Sequence, residues 1–91
     1  MDLPTVWKLI EADLERAASL LPAAAANDRA IVDFRDYLSH NELELACDML
    51  EHYAEDHSVP GDFWLALRDA ARRMELPKRA ARYAAFGEST Q

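Results

Sequence analysis

The stretch Leu38-Ser39-His40-Asn41-Glu42-Leu43-Glu44-Leu45-Ala46-Cys47-Asp48-Met49-Leu50, continued to Asp56 by Glu51-His52-Tyr53-Ala54-Glu55, decides the fold. Its apolar residues Leu43, Ala46, Leu50 and Ala54 recur every three or four positions, the period of an α-helix buried on one side. Cys47 and Tyr53 fall at the edges of that stripe. Ser39 stands three residues before Glu42, the spacing of a capping box, in which each side chain satisfies the other's backbone N–H. Leu38 and Leu43 hold the two hydrophobic-staple positions around it. The spacing therefore predicts a helix that starts at Ser39.

The same period extends in both directions. Upstream, Val6, Ile10, Leu14, Ala17 and Leu21 form one stripe, started by Asp2 and Pro4 and broken at Pro22. Ala23 to Ala26 suit a loop or a helical turn, and Asn27 or Asp28 can cap a helix with core positions Ile31, Phe34 and Leu38. Downstream, Ser58-Val59-Pro60-Gly61 is a turn and helix start. Phe63, Leu67, Ala70, Ala71 and Met74 make the next stripe, with Trp64 beside it. Pro77 to Phe86 reads as a short last helix that Gly87 ends. Residues 1–87 then form one domain, followed by a polar tail at 88–91. No stretch alternates with period two long enough for a strand. The fold class expected is all-α, a compact bundle of four to five short antiparallel helices.

Charge is unevenly placed. The chain of 91 residues has a net charge of −7, but residues 1–57 hold thirteen acids against four bases, and residues 58–91 hold four acids against six bases. Six carboxylates and no lysine or arginine lie between Glu42 and Asp56. At 100° per residue, Glu44, Asp48, Glu51 and Glu55 project on one side of the helix, away from Leu43, Ala46 and Leu50. Like charges at i,i+4 repel by a few tenths of a kcal/mol per pair, and Glu55 and Asp56 lie at the negative end of the helix dipole. A surface selected for stability alone would intersperse lysines, so this ridge has two readings, a solvated face that serves solubility or a docking surface that steers a basic partner. Its candidate partner-binding residues are Glu44, Asp48, Glu51, His52 and Glu55.

Other chemistries find less support. The overall acidity opposes binding to nucleic acid or to an anionic membrane. The basic run Arg68, Arg72, Arg73, Lys78, Arg79 and Arg82 is expected to pair with the acidic helix of its own molecule. Asp48, His52 and Asp56 are spaced at i,i+4, but a metal centre in a bundle needs such groups from several helices, so no metal or other cofactor is expected. His40, His52 and His57 sit where exposed or partly exposed residues are expected, and no GxSxG, HExxH, Walker-A or GxGxxG pattern is present. An enzyme is not expected. Cys47 is the only cysteine and no leader or membrane-length apolar run is seen, which makes the cytoplasm the expected compartment.

The segments Tyr37–Leu50, Pro60–Leu67 and Ala70-Ala71 resemble the small helical immunity proteins, MafI-like and related, found beside polymorphic or contact-dependent toxins in bacteria. The pieces that carry the resemblance are the helix start His40-Asn41-Glu42-Leu43, the pair Leu45-Ala46 and the pair Phe63-Trp64, within residues 31–76. The resemblance implies a cytoplasmic inhibitor without catalytic residues. Such a protein binds a cognate toxin domain, often a basic nuclease, and blocks its active site or substrate groove. The alternative is a small adaptor or regulatory protein that binds an endogenous protein partner.

Overall fold

A computed structural model describes residues 2–89. Five α-helices follow one another: α1 (Leu3–Ser19), α2 (Arg29–Ser39), α3 (Leu43–Asp56), α4 (Gly61–Arg73) and α5 (Pro77–Ser89), with one 3₁₀ turn at Ala23–Asn27 between α1 and α2. No strand occurs among the described residues, so the protein is an all-α bundle. Its architecture is two helical pairs, α2 on α3 and α4 on α5, joined by α1, which lies along α4 and also touches α3.

The helix starts follow the expected chemistry at two places. Asp2 accepts a hydrogen bond from Thr5 N at 2.9 Å, and its bonds with Thr5 hold the carboxyl below the usual aspartate pKa. Asp28, rather than Asn27, caps α2 by accepting from Ala30 N at 2.9 Å. Pro22 forces an extended entry into the 3₁₀ turn, and Pro60 does the same for α4.

The start of α3 departs from the expected capping box. Helix α2 continues through Ser39, whose hydroxyl donates back to Asp36 O at 2.7 Å and is not a cap. The helix ends instead in a left-handed closure. Asn41 has φ 57°, Asn41 N donates to Leu38 O, and Glu42 N donates to Tyr37 O. This is the Schellman pattern, and Asn tolerates the left-handed region better than most residues because its short amide bonds locally. Glu42 then enters α3 with no side-chain cap. The α4–α5 corner repeats the pattern with Glu75 at φ 59°, where Glu75 N meets Arg72 O and Leu76 N meets Ala71 O. A glutamate has no such local bonding to offset the left-handed strain. Glu75→Gly is expected to raise stability by about 0.5–1 kcal/mol, the left-handed relief exceeding the entropy of the freer unfolded chain. A urea midpoint that moves downward would contradict it.

Gly87 does not end α5; the helix runs through it to Ser89. Its role is close approach. A Cβ there would lie 2.6 Å from Leu65 Cδ2 and 3.2 Å from Gly61 O, so the missing side chain is what lets the end of α5 cross the start of α4. Of the expected tail, Glu88 and Ser89 belong to this helix, and Thr90 and Gln91 lie outside the described residues.

The core is contiguous. Leu14, Phe34, Ala46, Leu50, Phe63, Leu67, Ala70 and Ala71 have no exposed surface, and Val6, Leu21, Leu38 and Met74 are half-buried around them. Cys47 and Tyr53 are inside the core, not at its edge. Ala66 and Ala70 of α4 and Ala80 of α5 are small, buried residues, and α4 and α5 pack together along a long seam. Trp64 spans the seam, edge-on to Phe63 at 5.3 Å and against Phe86 at 4.8 Å. Of the Leu45-Ala46 pair, Ala46 is buried and Leu45 faces outward.

Candidate functional site: the acidic face of helix three

Helix α3 carries the ridge because its opposite side is anchored by Leu43, Ala46, Cys47 and Leu50. Glu44 and Glu55 project into solvent, with side chains 63% and 59% exposed. Between them, Asp48 is half-buried and Glu51 more so, at 41% and 24%. His52 is exposed, with Nδ1 3.5 Å from Glu55 Oε2. Glu44 to Glu55 spans eleven positions, about 16 Å of helix at 1.5 Å per residue.

The ridge is not bare. Arg79 of α5 reaches across to α3, placing Nη2 2.7 Å from Asp48 Oδ1 and Nη1 3.9 Å from Glu44 Oε2. The same guanidinium donates to the Tyr83 hydroxyl at 2.7 Å. Tyr83 in turn donates to Glu51 Oε1 at 2.5 Å, and Arg82 Nη2 lies 2.9 Å from both Glu51 oxygens. Arg79, Tyr83, Glu51 and Arg82 thus form a relay of donors and acceptors that ties α5 to α3. Two of the six residues of the basic run meet the acidic helix as expected.

Beneath the relay, Cys47 lies 3.7 Å from the Tyr83 hydroxyl and 3.6 Å from Arg79 Nη2. Burial pushes the Cys47 thiol up to about 11, against a partial opposing pull from Tyr83 and Arg79. Burial likewise raises the Tyr83 phenol well above its ordinary value, reinforced by Cys47 and by the bond to Glu51. For Arg79 burial works against the charge, but the Tyr83 hydroxyl, Cys47 and Asp48 reverse the balance and raise its pKa. Cys47 is therefore a protonated core thiol, not a nucleophile.

Between α3 and α5 the surface dips into a polar groove of about 470 Å³ lined by Asp48, Met49, Glu51, His52, Glu55, Arg79 and Arg82. All five sequence-predicted partner residues except Glu44 line it. Glu44 instead borders a second hollow at the α1 end of the bundle. His40 and His57 are elsewhere. His40 Nδ1 lies 2.8 Å from Asp36 O, an interaction that raises its pKa. His57 stacks on Tyr53 at 4.0 Å. Among the described residues, no three His, Cys, Asp or Glu side chains converge as a metal site.

A second ionic group was not foreseen. Asp13 is buried, facing Arg73 Nε at 2.8 Å and Arg16 Nη1 at 3.2 Å, with Arg16 bridging on to Asp69 at 2.8 Å. Arg68 also bonds Asp69. This group joins α1 to α4, so Arg68 and Arg73 of the basic run answer α1 and α4 acids and not the ridge. The sequence does carry a signal for it: Asp13 lies among Ile10, Leu14 and Ala17 on the buried stripe, and a carboxylate placed there requires a cation.

No described helix is long and apolar enough to cross a membrane. No family model, curated protein or solved structure matches the chain.

Proposed function

We propose that this protein is a small inhibitory binding protein of the immunity type, which captures a basic toxin domain through the outward face of α3. The observation that carries the reading is the row formed by the exposed carboxylates Glu44 and Glu55 and the half-buried Asp48, with the exposed His52 beside them, on a helix whose other side is immobilised in the core. Anions held on a rigid element attract a cationic surface at long range and need no rearrangement on contact. A nuclease groove built to hold phosphates presents such a cationic surface, and a protein that fills it excludes the substrate. Electrostatics then governs the capture rate, and apolar contacts govern the lifetime of the complex.

Glu51 is assigned a different part. Held by Tyr83 and Arg82, it orients the ridge from within and contributes little outward charge. Asp48 also pairs with Arg79, so reversing its charge would disturb the bundle as well as the surface. The informative variant is therefore Glu44→Lys combined with Glu55→Lys, two exposed positions. In co-expression with the product of the neighbouring gene, the wild-type protein is expected to rescue growth and to co-purify with it. The double variant is expected to associate at least about tenfold more slowly at low salt, with a flatter salt dependence and a Tm within a few degrees of wild type. Unchanged association kinetics would remove α3 from the interface. Absence of both rescue and co-purification would favour the adaptor reading.

A further inference from the structure

We infer that the hollow at the α1 end of the bundle is a docking site for an amphipathic, positively charged protein segment, which seats an apolar side chain there while its cations meet the acidic row of α3. The inference rests on the reading of α3 as the partner-facing surface and extends it to the apolar half of the contact.

The hollow measures about 520 Å³. Leu43 forms its buried floor, and Met74 its half-buried side. Leu3 and Trp7, from the first two turns of α1, are 64% and 41% exposed beside it. Tryptophan at the centre of an interface is a frequent carrier of binding energy, because it buries a large area while losing few rotamers. Leaving a leucine and a tryptophan partly in water at one spot forgoes that burial.

Charge selects the occupant. The hollow is lined by Glu44 and Glu75, both exposed, and by Arg73, whose charge is met by the buried Asp13 at 2.8 Å. The border of the apolar floor is thus negative. A second copy of the chain, itself at −7, would in a two-fold contact bring this carboxylate-bearing rim against the same rim of its partner. A nucleic acid or an anionic lipid would meet the same two carboxylates. A segment with apolar residues on one side and lysine or arginine beside them meets neither obstacle. Glu44 belongs both to this rim and to the ridge, so one helix of a partner can cover both.

Two synthetic helical peptides of equal lysine content provide the test, one without large apolar residues and one with a leucine and tryptophan stripe at i, i+3, i+4 and i+7. Both are titrated into the full chain and followed by NMR. The amphipathic peptide is expected to bind about tenfold or more tightly than its polar counterpart, and to shift the Leu3, Leu43 and Met74 methyls and the Trp7 indole N–H together with the Glu44 amide. Leu3→Ser with Trp7→Ala, both at exposed positions, should abolish the difference between the peptides and leave the affinity for the polar one unchanged. Equal affinities, with shifts at Glu44 and Glu55 only, would overturn the hollow as a docking site and leave the α3 reading standing. Absence of shifts at α3 with either peptide would overturn both. A concentration-dependent dimer in sedimentation that Trp7→Ala dissolves would assign the hollow to a second copy and overturn the inference.

Discussion

Arg79→Ala is expected to lower the unfolding free energy by about 2–4 kcal/mol and the Tm by roughly 10 °C or more. The side chain is 18% exposed, so water replaces little of what is lost. Its removal takes the cation from between Asp48, Glu51 and Glu44, leaving i,i+3 and i,i+4 carboxylates on α3 to repel one another. It also deprives the Tyr83 hydroxyl of a donor at a site with no exposed surface. Charge-assisted bonds of this kind contribute about 1.5–3 kcal/mol each where solvent is excluded. Two controls separate the causes. Arg79→Lys restores the charge without the planar fork and should recover part of the loss. Arg82→Ala removes a cation that is half-exposed and should cost less than about 1 kcal/mol. Thermal unfolding of the three variants checks the order; an Arg79→Ala protein as stable as wild type would make the relay a consequence of packing and not a cause of it.

The second large effect is alkaline. In the fold the Cys47 thiol keeps its proton up to about pH 11, against an ordinary value of 9.0. Between those limits the unfolded chain has released a proton that the folded one still holds. Unfolding therefore liberates protons, and stability falls as pH rises through that window. The full shift corresponds to about 3 kcal/mol. Tyr83, raised in the same direction by burial, adds a further decline above its ordinary value of 10.0. Below about pH 8 both groups are neutral in either state, and neither affects stability. Urea midpoints measured across this range should drop steeply for the wild-type protein and less so for Cys47→Ala. An identical slope in the variant would transfer the effect to other groups. The same burial keeps the thiol from reacting with disulfide reagents at neutral pH until the chain is unfolded.

Much of the fold was legible in the sequence because helix formation and core placement follow a local period. Leu14, Phe34, Leu50, Phe63 and Leu67 could be assigned to the interior from their spacing alone. The misassigned features are those in which two local solutions compete. Ser39 can cap a following helix or back-bond within a preceding one, and the choice depends on whether Asn41 accepts a left-handed backbone. Gly87 can stop a helix or admit a neighbouring one, and only the course of α4 distinguishes these. For the candidate site, the ridge itself was legible, since its residues share one helix. Its partial cover was not. Arg79 and Glu51 are 28 residues apart, and no periodicity relates them; the two meet only because Ala80 and Tyr83 bury the intervening face of α5.

The connections have a consequence for how this molecule can respond to contact. Neither glycine has a positive φ, and the two left-handed corners are closed by paired backbone hydrogen bonds at Asn41 and Glu75. Short, bonded corners of this kind leave few hinge positions where one helix could swing against the next. Within the α2–α3 and α4–α5 pairs, an approaching surface is then met chiefly by rotation of long side chains such as Glu44 and Arg82. For the docking role proposed for α3, corners closed in this way would demand shape from the partner and lose little conformational freedom on contact, so that selectivity would be set by a template and not by adaptation.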